Sequence, residues 1–130
     1  MGLRFLKIAV LYLVVGATLG LSMGITQKFT LVPVHAHVLL LGWASLALAG
    51  IVYHLYPAAS ETRLARLHFW LHNIALPVFM VGLGFVLSGS EGIVPVVVVA
   101  AVAVLLGLVL CAANVLLNIR PAGNVSGGAR

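Results

Sequence analysis

The sequence predicts an all-α integral membrane protein with four transmembrane helices and both ends of the chain in the cytoplasm. Apolar residues make up 63% of the 130 residues, charged residues make up 7%, and the mean hydropathy is +1.24. A water-soluble domain of this size needs far more polar surface around its core. The apolar residues are also gathered into runs of about 20, the length that crosses a bilayer. We therefore expect lipid to surround most of the chain.

Four predicted spans form a single domain over residues 1–120. They lie at about 5–25, 32–56, 67–87 and 93–117, each close to the length that a bilayer requires. The first span begins like a signal peptide, but it continues for a full span and no small-residue cleavage pattern follows it. We interpret it as a retained helix. Residues 121–130 are rich in Gly and small polar residues, which predicts a flexible tail.

The basic residues predict the orientation. With four spans, one side of the membrane receives only Lys28, and the other receives six bases: Arg4, Lys7, Arg63, Arg66, Arg120 and Arg130. Basic residues are retained on the cytoplasmic side. The second span therefore runs from the outer face to the inner face, and we expect the protein in a bacterial inner membrane. No dense basic patch is formed, so we expect no nucleic-acid partner.

Two histidines begin the second span, near the outer (periplasmic) face. An imidazole within a bilayer must be paired, hydrated or bound to metal, so His35 and His37 are candidate functional residues. Residues two apart on an α-helix point about 200° away from each other. The pair therefore cannot bind one ion together, but each ring can serve a different centre on its own side. The alternative is that both are hydrated among the lipid headgroups.

A stripe of residues lies beneath His35 on the same helix face. Two of its members are small, which allows a neighbouring helix or a flat cofactor to approach the backbone. The stripe consists of Gly42, Leu46, Ala49 and Tyr53.

The other three histidines form a second candidate group toward the cytoplasmic face. His68 and His72 are four residues apart and share one face of the third span, the usual spacing for joint metal ligation. His54 ends the second span and the connection is short, so a zinc or copper site of His54, His68 and His72 is one interpretation. The alternative is that His54 and His68, at helix ends, are simply within reach of water.

Three sequence blocks of the second and third spans occur in a specific order and spacing. They are His-Ala-His-Val at 35–38, Gly-Ile-Val-Tyr-His-Leu-Tyr-Pro at 50–57 and Leu-His-Phe-Trp-Leu at 67–71. Together they resemble helices ten and eleven of the catalytic subunit of the haem–copper oxidases and their nitric oxide reductase relatives. The resemblance covers Val34 to Gly82, about two fifths of the chain.

The resemblance implies haem ligation by the first pair of histidines. In that family the first histidine of His-x-His binds the high-spin haem and the second binds the low-spin haem on the other side of the helix. Carried over, His35 resembles the high-spin ligand and His37 the low-spin one, with haem b as the expected cofactor.

Two departures from the family limit what the resemblance implies. The copper-binding histidines and their linked tyrosine have no counterpart, so no copper and no oxygen reduction by this chain alone are expected. The arginines that usually hold the haem propionates are also absent, since residues 88–92 contain no base.

The resulting hypothesis is a membrane haem b protein that transfers electrons or binds a small ligand such as nitric oxide or oxygen. Its redox partner would be a quinone or a cytochrome. We expect the protein to have no enzyme activity of its own. If it is an enzyme, we expect an oxidoreductase. The family subunit has twelve helices in three arcs of four, so one chain resembling one arc implies a homotrimer. The alternatives are a haem-free accessory or assembly subunit of a respiratory complex, and a metal-binding module built on the second histidine group.

The distribution of basic residues leads to a topology prediction. A reporter fused after Arg130 should be cytoplasmic, and one inserted after Ser90 should be external, because six of the seven bases lie on the N-terminal side. Paired alkaline phosphatase and green fluorescent protein fusions measure this. The opposite readout would place His35 and His37 at the inner face and break the match to the family.

Overall fold

A computed structural model describes residues 1–119, which form four long helices with short connections. The helices are α1 (Gly2–Thr26), α2 (Val32–Leu55), α3 (Arg63–Leu87) and α4 (Val94–Asn118). Each is long and apolar enough to cross a membrane, which confirms for residues 1–119 the expectation of a helical fold with four helices that could serve as spans. The predictions made for Arg120 and for the tail at 121–130 lie outside the described residues.

Local sequence signals explain where the helices begin and end. Pro33 and Pro95 lie in the first turns of α2 and α4, where a missing N–H leaves no hydrogen bond unmade. Thr62 caps α3, its hydroxyl oxygen accepting the N–H of Ala65 at 3.0 Å. Gln27 ends α1 with a left-handed φ of 54°. A one-turn helix, Pro57–Ser60, connects α2 to α3, and a 3₁₀ turn, Glu91–Ile93, precedes α4.

Close helix contacts form two antiparallel pairs, α1 with α2 and α3 with α4. Gly42 in α2 permits one of these contacts, because a Cβ there would lie 2.5 Å from Cγ of Tyr12 in α1. Further along the same face, Leu46 and Tyr53 are buried in a cluster with Phe5 of α1. The predicted stripe of small residues beneath His35 is thus covered by a neighbouring helix.

Two apolar clusters fill the interior, one toward each end. We name the ends after the predicted orientation: α1 begins at the inner end, and α2 begins at the outer end. The inner cluster is built around Phe5, Tyr53 and Phe69, whose rings pack at centroid distances of 5.0–5.3 Å. The outer cluster joins Val38 of α2 to Leu76 of α3. Large apolar side chains also cover the outside of the bundle, as expected for a surface in contact with lipid.

A buried amide ties the helices together at the inner end. Asn114 of α4 donates from Nδ2 to the carbonyl oxygen of Ala59 at 2.8 Å and to the hydroxyl oxygen of Tyr53 at 3.3 Å. Its Oδ1 accepts from the hydroxyl of Thr62 at 2.8 Å and from Nδ2 of Asn118 at 2.9 Å. The side chain is fully buried. Asn114 therefore links α4 to α2 and to the connection between α2 and α3.

Replacing this amide should destabilise the bundle. We expect Asn114→Leu to lower the free energy of unfolding by about 1–3 kcal/mol, because this fully buried amide is a hydrogen-bond partner of the Ala59 carbonyl and of the Thr62 and Tyr53 hydroxyls. Thermal unfolding in detergent measures the change. Asn118→Leu, one turn further on the exposed side of α4, is the matched control and should have the smaller effect. Equal stability of the two variants would contradict this role of Asn114.

Candidate functional site

His35 lies in the first turns of α2 and faces α1. Its Nδ1 is 2.9 Å from the carbonyl oxygen of Gly16. Because a carbonyl oxygen can only accept, Nδ1 carries the proton and Nε2 of the neutral ring keeps its lone pair. Gly20, one turn further along α1, makes room for the ring: a Cβ there would lie 2.8 Å from Cε1 of His35. The side chain is half-buried between the two helices.

His37 is held in the same tautomer but on another side of α2. Its Nδ1 is 2.7 Å from the carbonyl oxygen of Pro33, one turn earlier in the same helix. Its ring meets the ring of Phe79 in α3 edge-on, with the centroids 5.4 Å apart and the planes at 78°. The two histidines thus contact different helices, as their spacing predicts, and Nε2 of each is free of hydrogen bonds to residues 1–119.

His68 and His72 lie side by side in α3, fully buried in the bundle. Their ring centroids are 5.5 Å apart. Nδ1 of His68 is 3.3 Å from the hydroxyl oxygen of Tyr53, so His68 extends the polar network around Asn114. Nε2 of His72 donates to the carbonyl oxygen of Leu41 in α2 at 3.1 Å.

His54 does not join this pair. Tyr53, its neighbour in α2, faces the interior, and successive helical residues point about 100° apart, so the side chain of His54 lies on the exposed side. Within residues 1–119, no three His, Cys, Asp or Glu side chains are grouped so that they could hold a metal ion. The structure therefore brings together two members of the second histidine group and leaves the third outside.

The residues that sequence reasoning missed are those of the polar network at the inner end. The sequence places Tyr53 in the stripe beneath His35 and in the block 50–57, but it assigns no hydrogen bond to Tyr53 and no role to Asn114. A usable signal was nevertheless present: Asn114 is an amide inside an otherwise apolar span, and such a group must find partners within the protein.

Comparison with known proteins gives no significant match: no family model fits this sequence, and no curated protein and no solved structure is similar to it. The resemblance to the haem–copper oxidases therefore rests on the sequence blocks quoted above. Function has to be inferred from the geometry of the site.

Proposed function

We propose that this chain is a membrane haem b protein that binds iron through Nε2 of His35 and of His37. The observation that carries the proposal is the pair of hydrogen bonds from Nδ1 to a backbone carbonyl, at Gly16 for one ring and at Pro33 for the other. Metal-ligating histidines almost always donate their second N–H in this way, which fixes the tautomer and the ring direction and makes the ligating nitrogen more basic. Simple hydration at the headgroups requires no such fixation of both rings.

The residues around the two imidazole rings fit a bound haem in part. The outer end of the bundle is apolar, as a porphyrin requires, and both rings are half-buried, with Nε2 making no hydrogen bond to residues 1–119. Lys28, exposed in the connection between α1 and α2, is the one base on the predicted outer side and would neutralise a propionate. Bound haem would supply one-electron exchange at iron and, with an axial position open, a place for nitric oxide or oxygen.

One chain does not supply both axial ligands to one iron. His35 contacts α1 and His37 contacts α3, so their rings serve different sides of α2. The remaining histidines lie elsewhere: His68 and His72 are buried within α3, and His54 is exposed at the inner end. A second copy of α2 is therefore the source of a sixth ligand in this proposal. A ring of three copies uses every histidine equivalently, whereas a twofold dimer pairs two copies of one histidine and leaves both copies of the other unused.

The proposed setting is a bacterial inner membrane, with both rings near the periplasmic face. Electrons would be exchanged there with a quinone or a cytochrome. No step of oxygen reduction is assigned to this chain.

Replacing either proposed ligand should change the haem spectrum. We expect His35→Ala and His37→Ala to deplete haem or to convert low-spin iron to high-spin, because each removes one axial nitrogen. Absorption spectra of the oxidised and reduced protein, with and without carbon monoxide, provide the measurement. His54→Ala, an exposed histidine on the same helix, is the control and should leave the Soret and alpha bands intact.

The outcome separates the candidate functions. A colourless protein that takes up no haem during expression or reconstitution would favour the haem-free accessory subunit. An unchanged spectrum and haem content after both ligand substitutions would refute ligation by His35 and His37.

The oligomeric state is a second test of the proposal. Native mass spectrometry in detergent should show three chains with up to three haems, and the haems should be lost together when His35 is replaced, because each interface then lacks the same ligand. A monomer that retains a six-coordinate bis-histidine haem would rule the trimer out.

A further inference from the structure

The middle of α2 departs from α-helical geometry directly after His37. Residues Val38–Ala44 form a π-helix, between α-helical segments at Val32–His37 and Ser45–Leu55. Here the N–H of Ser45 bonds to the carbonyl of Leu40, five residues earlier instead of four. A hydrogen bond of this kind encloses one residue more than an α-helical one. Such segments are rare and occur frequently at functional sites.

Two side chains bind backbone carbonyls of the π-helical segment. The hydroxyl of Ser45 donates to the carbonyl oxygen of Leu40 at 2.9 Å, which is a local contact. His72 donates from Nε2 to the carbonyl oxygen of Leu41 at 3.1 Å, and it reaches this carbonyl from a different helix. Insertion of a side chain into the helical hydrogen-bond ladder is a recognised cause of local helix distortion.

The hydrogen-bond arrangement of His72 is unfavourable at one ring nitrogen, and apolar packing does not explain why a histidine lies here. With the proton on Nε2, Nδ1 bears a lone pair, and this buried atom has no hydrogen-bond partner among the residues that the structure describes. An unpartnered buried acceptor is unfavourable, and an apolar side chain of similar size would avoid it. Gly107 of α4 packs against this part of α3, and a Cβ there would be in ordinary van der Waals contact with Cβ of His72. The compensating gain is the hydrogen bond to the Leu41 carbonyl.

We propose that His72 is a positioning residue: by holding the Leu41 carbonyl, it maintains the π-helical segment and sets the rotation of the outer end of α2. Return of this segment to α-helical bonding would turn the outer end by about the angle of one residue, roughly 100°. His35 would then leave the Gly16 carbonyl, and His37 would leave Phe79. Only the consequence for iron ligation depends on the proposed haem function; the rotation is a property of the chain.

Cysteine labelling tests the rotation without haem. In a Cys111→Ala background, single cysteines replace Ala36, which is exposed, and Val34, which is buried. Reaction with a maleimide should be fast at 36 and slow at 34. With His72→Phe, which keeps a ring but lacks the donor, we expect labelling at 36 to fall and labelling at 34 to rise, each several-fold. A turn of 100° in either direction moves residue 36 to a side of the helix that is half-buried in the wild type, the side of His35 or of His37. The same turn moves residue 34 away from the core.

Two controls separate the hydrogen bond from general damage to α3. His72→Gln retains a side-chain N–H at a similar reach and should keep the wild-type labelling pattern. Ile74→Phe introduces the same ring two residues away on the exposed side of α3, where the isoleucine is 62% exposed, and should also keep it.

A compensating deletion provides the sharpest test. Leu40 is an exposed residue of the π-helical segment. Its removal takes out the one extra residue that distinguishes a π-helical turn from an α-helical turn, so the shortened segment can be α-helical without turning the outer end. Combined with His72→Phe, the deletion should restore fast labelling at 36 and slow labelling at 34. If His72→Phe alone is not monodisperse, the same deletion should recover a monodisperse protein. Failure of the deletion to restore either property would overturn the proposal.

The haem-loaded protein provides an independent readout. His72→Phe should shift the low-spin electron paramagnetic resonance signal that His72→Gln preserves, because the imidazole planes would turn with the helix. Wild-type labelling in His72→Phe would refute the positioning role whatever the haem content. Altered labelling in a chain that binds no haem would refute the proposed function and leave the positioning role standing.

Discussion

A polar group buried inside an apolar helix bundle must find its partner within the protein, and this constraint explains most of the structure. Water does not reach the buried amide of Asn114, so this amide hydrogen-bonds to the Ala59 carbonyl and the Thr62 hydroxyl. These bonds hold the helices together at the inner end. The same requirement directs Nε2 of His72 to the Leu41 carbonyl and Nδ1 of His35 to the Gly16 carbonyl. Apolar packing fills the spaces between these contacts, but it does not by itself select one arrangement of four similar helices.

Hydropathy and short connections were sufficient to predict the four helices, because each depends only on its own composition and length. The opposite directions of His35 and His37 were equally predictable, since they follow from helical geometry over three residues. The π-helical segment at Val38–Ala44 could not be predicted in this way, because in our proposal it depends on the N–H of His72 in α3, which the sequence of α2 does not reveal. The role of Asn114 likewise depends on partners more than 50 residues away.

The second histidine group shows how a one-residue difference decides which side chains meet. Sequence spacing correctly placed His68 and His72 on one face of α3, but membership of His54 depended on the rotation of α2 at its inner end. At that end Tyr53 faces the interior and its hydroxyl contacts His68, whereas the imidazole of His54 lies on the exposed side. A pattern within one helix predicts shared faces, whereas the rotation of a neighbouring helix is set by packing.

The contact of His35 with Gly16 and Gly20 has a consequence for recognising relatives of this protein. The first helix contributes no side chain to the proposed ligands, yet a Cβ at Gly20 would meet the ring of His35 and a Cβ at Gly16 would meet the side chain of Leu39. Descendants of the same ancestor should therefore retain a glycine pair four residues apart in the first span whenever they retain His-x-His and the large residue at 39 in the second. A search profile that joins these two short patterns would detect distant members that similarity along the whole chain overlooks.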